Sequence, residues 1–156
     1  MSESLFDPQS FLDASTTEVL VKRPPIPAGT VLTGSIIKIA ARPWTGRKDP
    51  TQGGIAIDCT VEFDLNAAPP GVRQVVGIDK VNIVDGIMLD LTESGSIDYA
   101  PGKNNKLRKY REALGLNVAG ASFSIRQMEG RMVLCKIKHD PYEGEIYDKI
   151  ESVAKA

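Results

Sequence analysis

Three separate stretches of the sequence combine basic with aromatic side chains. They are residues 41–54, which read ARPWTGRKDPTQGG, residues 103–111, which read KNNKLRKYR, and residues 136–142, which read KIKHDPY. Nucleobases stack on aromatic rings while lysine and arginine neutralise phosphates, so this mixture favours binding to single-stranded nucleic acid. Ten side chains of these stretches are the candidate contacts: Arg42, Trp44, Arg47, Lys48, Lys106, Arg108, Lys109, Lys136, Lys138 and Tyr142.

Several of these side chains also have a purely structural interpretation. Trp44 could anchor a loop, and Tyr110 lies on the apolar stripe of a predicted helix, where a core position is favoured over a ligand contact. The basic residues of that helix could form a solvated face. The joint placement of the candidates, rather than any single residue, therefore supports binding.

The charges are segregated along the chain, although the net charge is only −1. Residues 1–20 carry four acids and no base, residues 103–111 carry five bases and no acid, and residues 140–151 carry five acids and one base. Charges act over a Debye length of about 8–10 Å, so a nearly neutral chain with a local basic block can still bind a polyanion.

Recognisable catalytic and cofactor motifs are missing from the sequence. His139 is the only histidine, no serine lies in a GxSxG elbow, and no GxxxxGK[ST] or GxGxxG loop occurs. Asp58, Glu62 and Asp64 project from one strand face and could in principle hold Mg²⁺, but a solvated face is the favoured interpretation. We therefore expect no enzymatic activity, no metal and no cofactor.

The two cysteines, Cys59 and Cys135, fall in phase with the apolar residues of predicted strands. A zinc site needs about four nitrogen or sulfur ligands, which this chain does not easily supply, so we expect buried, reduced thiols. The first residues lack the basic start and apolar run of a signal peptide, and no apolar run approaches the roughly 18 residues of a membrane helix. A cytosolic protein without a membrane partner is expected.

The sequence divides into an acidic, proline-rich arm at residues 1–25 and a domain at residues 26–156. The arm ends in RPPIP, residues 23–27, whose prolines stiffen the chain and interrupt regular structure. Four apolar side chains of the arm could dock on the domain or on another subunit: Leu5, Phe6, Phe11 and Leu12.

The first predicted strand covers residues 30–41, with a bulge or bend at Gly34. We predict that residues 41–54 then form a loop that holds Trp44. One face of the first strand is predicted to carry Thr33, Ser35, Ile37 and Ile39.

The second predicted strand is the clearest element. In residues 55–63 every second position is a larger apolar residue, in the order Ile, Ile, Cys, Val and Phe, with Ala, Asp, Thr and Glu between them, and this period is typical of a half-buried strand. Residues 73–91 contain one long or two short strands, and the Asp85-Gly86 pair predicts a tight turn between them.

The period then changes to that of a helix around residues 106–114, which Asn104 or Asn105 could cap and Gly115 could end. A fourth strand is predicted at residues 132–139, followed by a hairpin turn at residues 141–144. The remaining segment is either a last strand or a short helix. The apolar face of the helix is predicted to carry Leu107, Tyr110, Ala113 and Leu114.

The element order predicts a mainly β protein of OB type, which is a five-stranded Greek-key barrel with one α-helix between strands 3 and 4. Another small barrel and an open sandwich are the alternatives. In an OB-fold the loops between strands 1 and 2 and between strands 4 and 5 flank the binding face. Those two loops carry Trp44 and Tyr142 in this assignment.

Several motifs resemble a family of small bacteriophage proteins that bind single-stranded DNA. They are Pro27-Ala28-Gly29 before a strand, ALGLN at residues 113–117, and the segment VLCKIKHDPYEGEIYDKIESV at residues 133–153. A further set of matching positions comprises Phe123, Met128, Gly130 and Arg131. The resemblance covers roughly residues 26–153 and implies an OB-like fold and protection of single-stranded DNA. The chain departs from many such proteins because it ends in ESVAKA rather than in an acidic tail.

We therefore predict a non-enzymatic single-stranded-DNA-binding protein of a bacteriophage, acting in replication and recombination with little sequence specificity. Expected partners are single-stranded DNA, phage replication or recombination proteins, and other copies of the chain as a homo-oligomer. The expected location is the cytoplasm of the infected bacterial host. The alternative is a virion structural protein, such as a capsid-decorating or tail-associated β-barrel.

Overall fold

The computed structural model describes residues 7–156, which form a mainly β structure, as predicted. Five antiparallel strands make one sheet in the order β3-β2-β1-β4-β5. Three α-helices and one 3-10 helix at Ile125–Met128 complete the elements. The strands are β1 (Val31–Thr45), β2 (Gly53–Asp64), β3 (Lys80–Met88), β4 (Met132–Tyr142) and β5 (Glu145–Ala154). The α-helices are α1 (Pro8–Asp13), α2 (Val72–Val76) and α3 (Asn105–Ala113).

The four residues of strand β1 that were predicted to share one face do not do so. Thr33 and Ser35 lie on the side opposite to the buried residues Leu32, Gly34 and Ile36. Ile37 is an extra residue between the pairs of β1 with Val61 and Thr60, and this bulge shifts the alternation, so Ile39 lies opposite Cys59 and packs against the core. Such a bulge bends a strand, and β1 pairs with β4 near its start and with β2 along most of its length.

Gly34 lies where two sheet neighbours approach the backbone of β1. A Cβ built on it would overlap Val61 and lie 2.7 Å from Cε1 of Phe63. Both of those β2 side chains are fully buried. A larger residue at this position would therefore have to displace the core.

Strand β2 confirms the predicted alternation from Ile57 to Phe63, whereas Ile55 is exposed at the far end. The turn predicted at Asp85-Gly86 is wrong: β3 runs straight through this pair, and Asp85 points inward and is buried. The start of the predicted strand region is also helical, since residues 72–76 form α2. A local turn signal was overridden here by the partners that Asp85 finds inside the protein.

Those partners come from helix α3, whose buried face carries Leu107, Tyr110 and Ala113 as predicted. The Tyr110 hydroxyl donates a hydrogen bond of 2.5 Å to Oδ2 of Asp85, and Nζ of Lys106 donates one of 2.6 Å to Oδ1. The helix ends before Gly115, which has a φ of 71°. The Asp85 contacts attach α3 to β3.

Strands β4 and β5 form a hairpin whose two central turn residues, Glu143 and Gly144, both have positive φ. This is the conformation of a type I′ turn, which matches the twist of the flanking strands. The inward positions of β4 are Val133, Cys135 and Ile137, as predicted. The last segment is a strand, and Tyr142 is the final residue of β4.

Both cysteine thiols are free and fully buried in the core. Burial, followed by the nearby Asp85 charge, raises the pKa of Cys59 and of Cys135 to about 12. Both therefore remain protonated at neutral pH.

The segment before β1 is attached to β5 through Asp148. Arg23 donates two hydrogen bonds to this carboxylate, at 2.7 and 2.9 Å, and the Ile26 amide donates a third at 2.8 Å. Burial alone would raise the pKa of Asp148, but these hydrogen bonds and the Arg23 charge outweigh it and lower the pKa. Nζ of Lys22 also contacts the Tyr147 ring, so the anchored region begins before the predicted boundary at residue 26.

Phe11 and Leu12 of α1 are exposed, and Leu5 and Phe6 lie outside the described residues. Among residues 7–156, no helix has the length and apolar character needed to cross a membrane.

Candidate nucleic-acid interface

Trp44 lies within strand β1, directly opposite Gly54 of β2, and not in a loop as predicted. The two strands keep pairing as far as Thr45 and Gly53, so the connecting loop contains only residues 46–52. The loop prediction was wrong because the glycines at the start of β2 were interpreted as loop residues.

The Trp44 indole lies against the backbone of Gly54. A Cβ built on Gly54 would be 3.0 Å from Nε1 and 3.4 Å from Cζ2 of the ring. The indole N–H is buried without a hydrogen-bond partner in the described part of the chain, while the residue as a whole is half-buried. An aromatic side chain that covers a glycine on a neighbouring strand is held in place and keeps part of its ring accessible.

Arg42 lies two residues before Trp44 on the same side of β1. Its Nε is 2.7 Å from Oδ2 of Asp58, which lies on the same side of β2. This ion pair lies close to Gly86 of β3, since a Cβ there would be 3.4 Å from Oδ1 of Asp58. The charge of Arg42 is thus balanced locally, although half of its side chain is exposed.

Residues directly opposite one another in a sheet share one side of it. We define the outer face as the side of β1, β2 and β3 that carries Trp44 and Arg42. On β3 this face exposes the apolar residues Val84 and Met88, which lie opposite Thr60 and Ala56 of β2. The residues of β1 on the outer face are Lys38, Ala40, Arg42 and Trp44.

Sequence reasoning missed four outer-face positions, namely Lys38, Val84, Gly86 and Met88. The signal was present, because residues 80–88 alternate in phase with β2 once the Asp85-Gly86 pair is not interpreted as a turn.

The loop between β1 and β2 holds Arg47 and Lys48, both exposed and neither in an ion pair with any residue in 7–156. The Asp49 carboxylate organises this loop by accepting hydrogen bonds from the hydroxyl and the amide of Thr51, at 2.5 and 3.0 Å. These hydrogen bonds lower the pKa of Asp49, and the bond from the Thr51 hydroxyl has the larger effect. Beyond the end of β1, the loop therefore presents two cations that have no acidic partner within residues 7–156.

Tyr142 lies at the opposite end of the sheet from Trp44. Strands β1 and β4 run antiparallel, so the end of β4 and the end of β1 point in opposite directions. The ring of Tyr142 is exposed at the hairpin tip. The two candidate stacking residues therefore flank the sheet and do not form one cluster.

The candidates on helix α3 differ in how their charges are balanced. Lys106 is bonded to Asp85 and to the Gly86 carbonyl, at 2.6 and 2.8 Å, and Arg108 lies 3.1 Å from Glu112. Lys109 is exposed and has no acidic partner in the described chain. Of these three helix candidates, Lys109 is the one whose charge no acidic residue balances within residues 7–156.

The candidates on β4 show the same division. Nζ of Lys136 lies 3.6 Å from Glu151, whereas Lys138 is exposed and unpaired within residues 7–156. Residue 138 lines a groove together with Lys106 and Lys109 of α3. Three candidates from two separate stretches of sequence are therefore brought together.

The acidic residues considered for Mg²⁺ have other partners. Asp58 is paired with Arg42, Glu62 lies 3.8 Å from Lys80, and Asp64 accepts the Asn66 amide at 3.0 Å. Within the described chain, no three histidine, cysteine or acidic residues are grouped so that they could hold a metal ion. The ring of His139 is hydrogen-bonded to the Ile26 carbonyl at 2.8 Å.

Comparison with known proteins gives no match: no family model fits the sequence, and no curated protein is similar to it. The similarity to phage DNA-binding proteins stays a hypothesis drawn from the motifs.

Proposed function

We propose that this chain is a non-enzymatic protein that binds single-stranded DNA on the outer face of an OB-type barrel. The observation that supports this proposal best is the position of Trp44, fixed against Gly54 beside Arg42. Two glycines of this face, Gly54 and Gly86, let the Trp44 ring and the Arg42–Asp58 ion pair lie close to the sheet backbone.

The barrel assignment has its own support. The strand order β3-β2-β1-β4-β5, with a helix between β3 and β4, is the order of an OB-fold. Some Cα atoms of β3 and β5, the two outer strands, lie within 8 Å of each other. The Asp85 contacts of α3 lie at that seam, where a helix would close the barrel without a hydrogen-bonded ladder.

The proposed contacts separate into stacking and phosphate-binding groups. Trp44 would stack on a base at the end of β1, and Tyr142 would stack on another at the tip of the β4–β5 hairpin. Phosphates would be neutralised by the side chains without an acidic partner, first Arg47 and Lys48 at the β1–β2 loop. These side chains would contact the phosphates and the flat faces of the bases rather than the base edges, so we expect little sequence preference. The phage origin, the role in replication and recombination and the host cytoplasm are proposed from the motifs alone.

The test is a titration of the protein with labelled oligo-dT at several salt concentrations. Log K is expected to fall with log salt, with a slope of about −0.7 for each phosphate neutralised. Replacing Arg47 and Lys48 by Gln should reduce that slope by about 1.4. The matched control is Arg73→Gln with Arg126→Gln, since both cations are exposed and lie on helical segments rather than on the outer face. Absence of binding by the wild-type protein at low salt would contradict the proposal.

A virion structural role is the second candidate, and the N-terminal segment supports it. Among the described residues 7–21, five large apolar side chains are exposed, namely Phe11, Leu12, Val19, Leu20 and Val21. Such a segment fits docking on a neighbouring subunit. Detection of the protein in purified virions, together with no affinity for oligo-dT, would favour this role.

A further inference from the structure

We propose that the groove between α3 and the β4–β5 hairpin is a second phosphate-binding site, which carries single-stranded DNA beyond the outer face. The identity of the ligand as DNA rests on the proposed function, while the phosphate chemistry rests on the groove itself. The groove has a volume of about 320 Å³. Its lining includes Lys106, Lys109 and Lys138, with Ser152 of β5.

The charge of the groove is positive once its own ion pairs are counted. Its two carboxylates belong to Asp85 and Glu151. Asp85 is engaged by Lys106 and Tyr110, and Glu151 lies 3.6 Å from Lys136. Two exposed ammonium groups of the lining therefore keep no acidic partner in residues 7–156, namely those of Lys109 and Lys138.

A third lysine adds to this charge from the neighbouring strand. Lys149 of β5 lies directly opposite Lys138 of β4, and both are exposed. Like charges directly opposite in an antiparallel pair destabilise the sheet. An anion bound by Lys138 in the groove would weaken that repulsion, so the arrangement favours an anion beside Lys138.

The chemistry of the groove selects phosphate rather than a base. Lysine ammonium groups and the exposed Ser152 hydroxyl donate hydrogen bonds to phosphate oxygens. The tyrosine of the lining, Tyr110, is buried and its hydroxyl is already bonded to Asp85, so it offers no stacking surface. A phosphodiester backbone is the expected ligand.

The outer face is one side of β1–β3, whereas the groove is lined by α3, β4 and β5 together with Asp85, which lies on the opposite, inner side of β3. We therefore expect only a longer strand to occupy both. A single OB-fold covers about 4–16 nucleotides. We expect an oligo-dT of about 6 nucleotides to use the outer face alone and one of about 20 to reach the groove.

The experiment compares the salt dependence of binding for these two lengths. With the long oligonucleotide, Lys138→Gln should reduce the slope of log K against log salt by about 0.7, and Lys109→Gln/Lys138→Gln by about 1.4. With the short one, neither variant should change the slope. The control Arg126→Gln removes an exposed cation outside the groove and should leave the slope unchanged for both oligonucleotides. The proposal would be overturned if the lysine variants reduced the slope equally for both oligonucleotides, or for neither.

A second measurement decides the case in which the wild-type protein binds no DNA. Amide NMR spectra are recorded during titration with inorganic tripolyphosphate. Shifts confined to the groove residues, and lost in Lys109→Gln/Lys138→Gln, would support the phosphate site and refute only the proposed function. Spectra without groove shifts would refute the phosphate site itself.

Discussion

Replacement of Tyr110 by phenylalanine tests whether α3 is attached to β3 through Asp85. The substitution removes one hydroxyl, which donates a 2.5 Å hydrogen bond to a buried carboxylate. A hydrogen bond to a charged group contributes about 1.5–3 kcal/mol, and the carboxylate would be left with Lys106 alone. We expect the free energy of unfolding to fall by about 1.5–3 kcal/mol.

The matched control is Tyr147→Phe, because the Tyr147 hydroxyl also bonds a carboxylate, that of Glu145, at 2.9 Å. That pair is exposed to solvent, so its loss should cost less than about 1 kcal/mol. Both variants are compared with the wild type by urea unfolding followed by circular dichroism. An equal cost for the two substitutions would refute the role given to Asp85.

The pH dependence gives an independent check on the same contact. Burial, followed by the Asp85 charge, raises the pKa of Tyr110 above its usual value. A raised folded pKa stabilises the fold below the unfolded value of about 10, and this contribution is lost as the pH rises above it. Tyr110→Phe should therefore reduce the fall in stability above about pH 10, whereas an unchanged alkaline limb would contradict the assignment.

Three further predictions concern the rest of the structure. The pKa of Asp148 is lowered, so its contact with Arg23 stabilises the fold above the unfolded pKa of about 3.9 and loses this effect as the pH falls through the folded pKa. The variant Arg23→Gln should therefore show a smaller loss of unfolding free energy at acid pH, measured by urea unfolding at a series of pH values. Cys59 and Cys135, with pKa values raised to about 12, should not react with an aromatic disulfide reagent at pH 8 until the protein is unfolded. Gly34→Ala should lower the free energy of unfolding by about 1–3 kcal/mol because Val61 and Phe63 occupy the space. An acid limb unchanged by Arg23→Gln, rapid labelling of the native thiols, or an unchanged urea midpoint for the alanine variant would refute the respective prediction.

The sequence predicted those elements whose alternation is regular over several residues. Most of β2, the inward face of β4 and the apolar face of α3 were found from period alone, since each buries one side against the core. The faces of β1 were assigned wrongly because a one-residue bulge at Ile37 shifts the alternation of inward and outward side chains, and the local sequence gives no signal for that bulge.

Long-range partners account for the other errors. The Asp85-Gly86 pair has the composition of a turn, but its carboxylate is bonded to α3, more than 20 residues away along the chain. The position of Trp44 depends on strand pairing with Gly54, which composition did not reveal. The sequence could also not tell which lysines have acidic partners, and Lys106 and Lys136 do.

The most direct test of the central claim is the fluorescence of Trp44 during titration with oligo-dT at low salt. It is the only tryptophan in the chain, so its emission reports the outer face alone. The proposed function predicts quenching that saturates with the oligonucleotide and reverses on addition of salt. Binding detected on the labelled oligonucleotide without any change in Trp44 emission would contradict the placement of the DNA on the outer face.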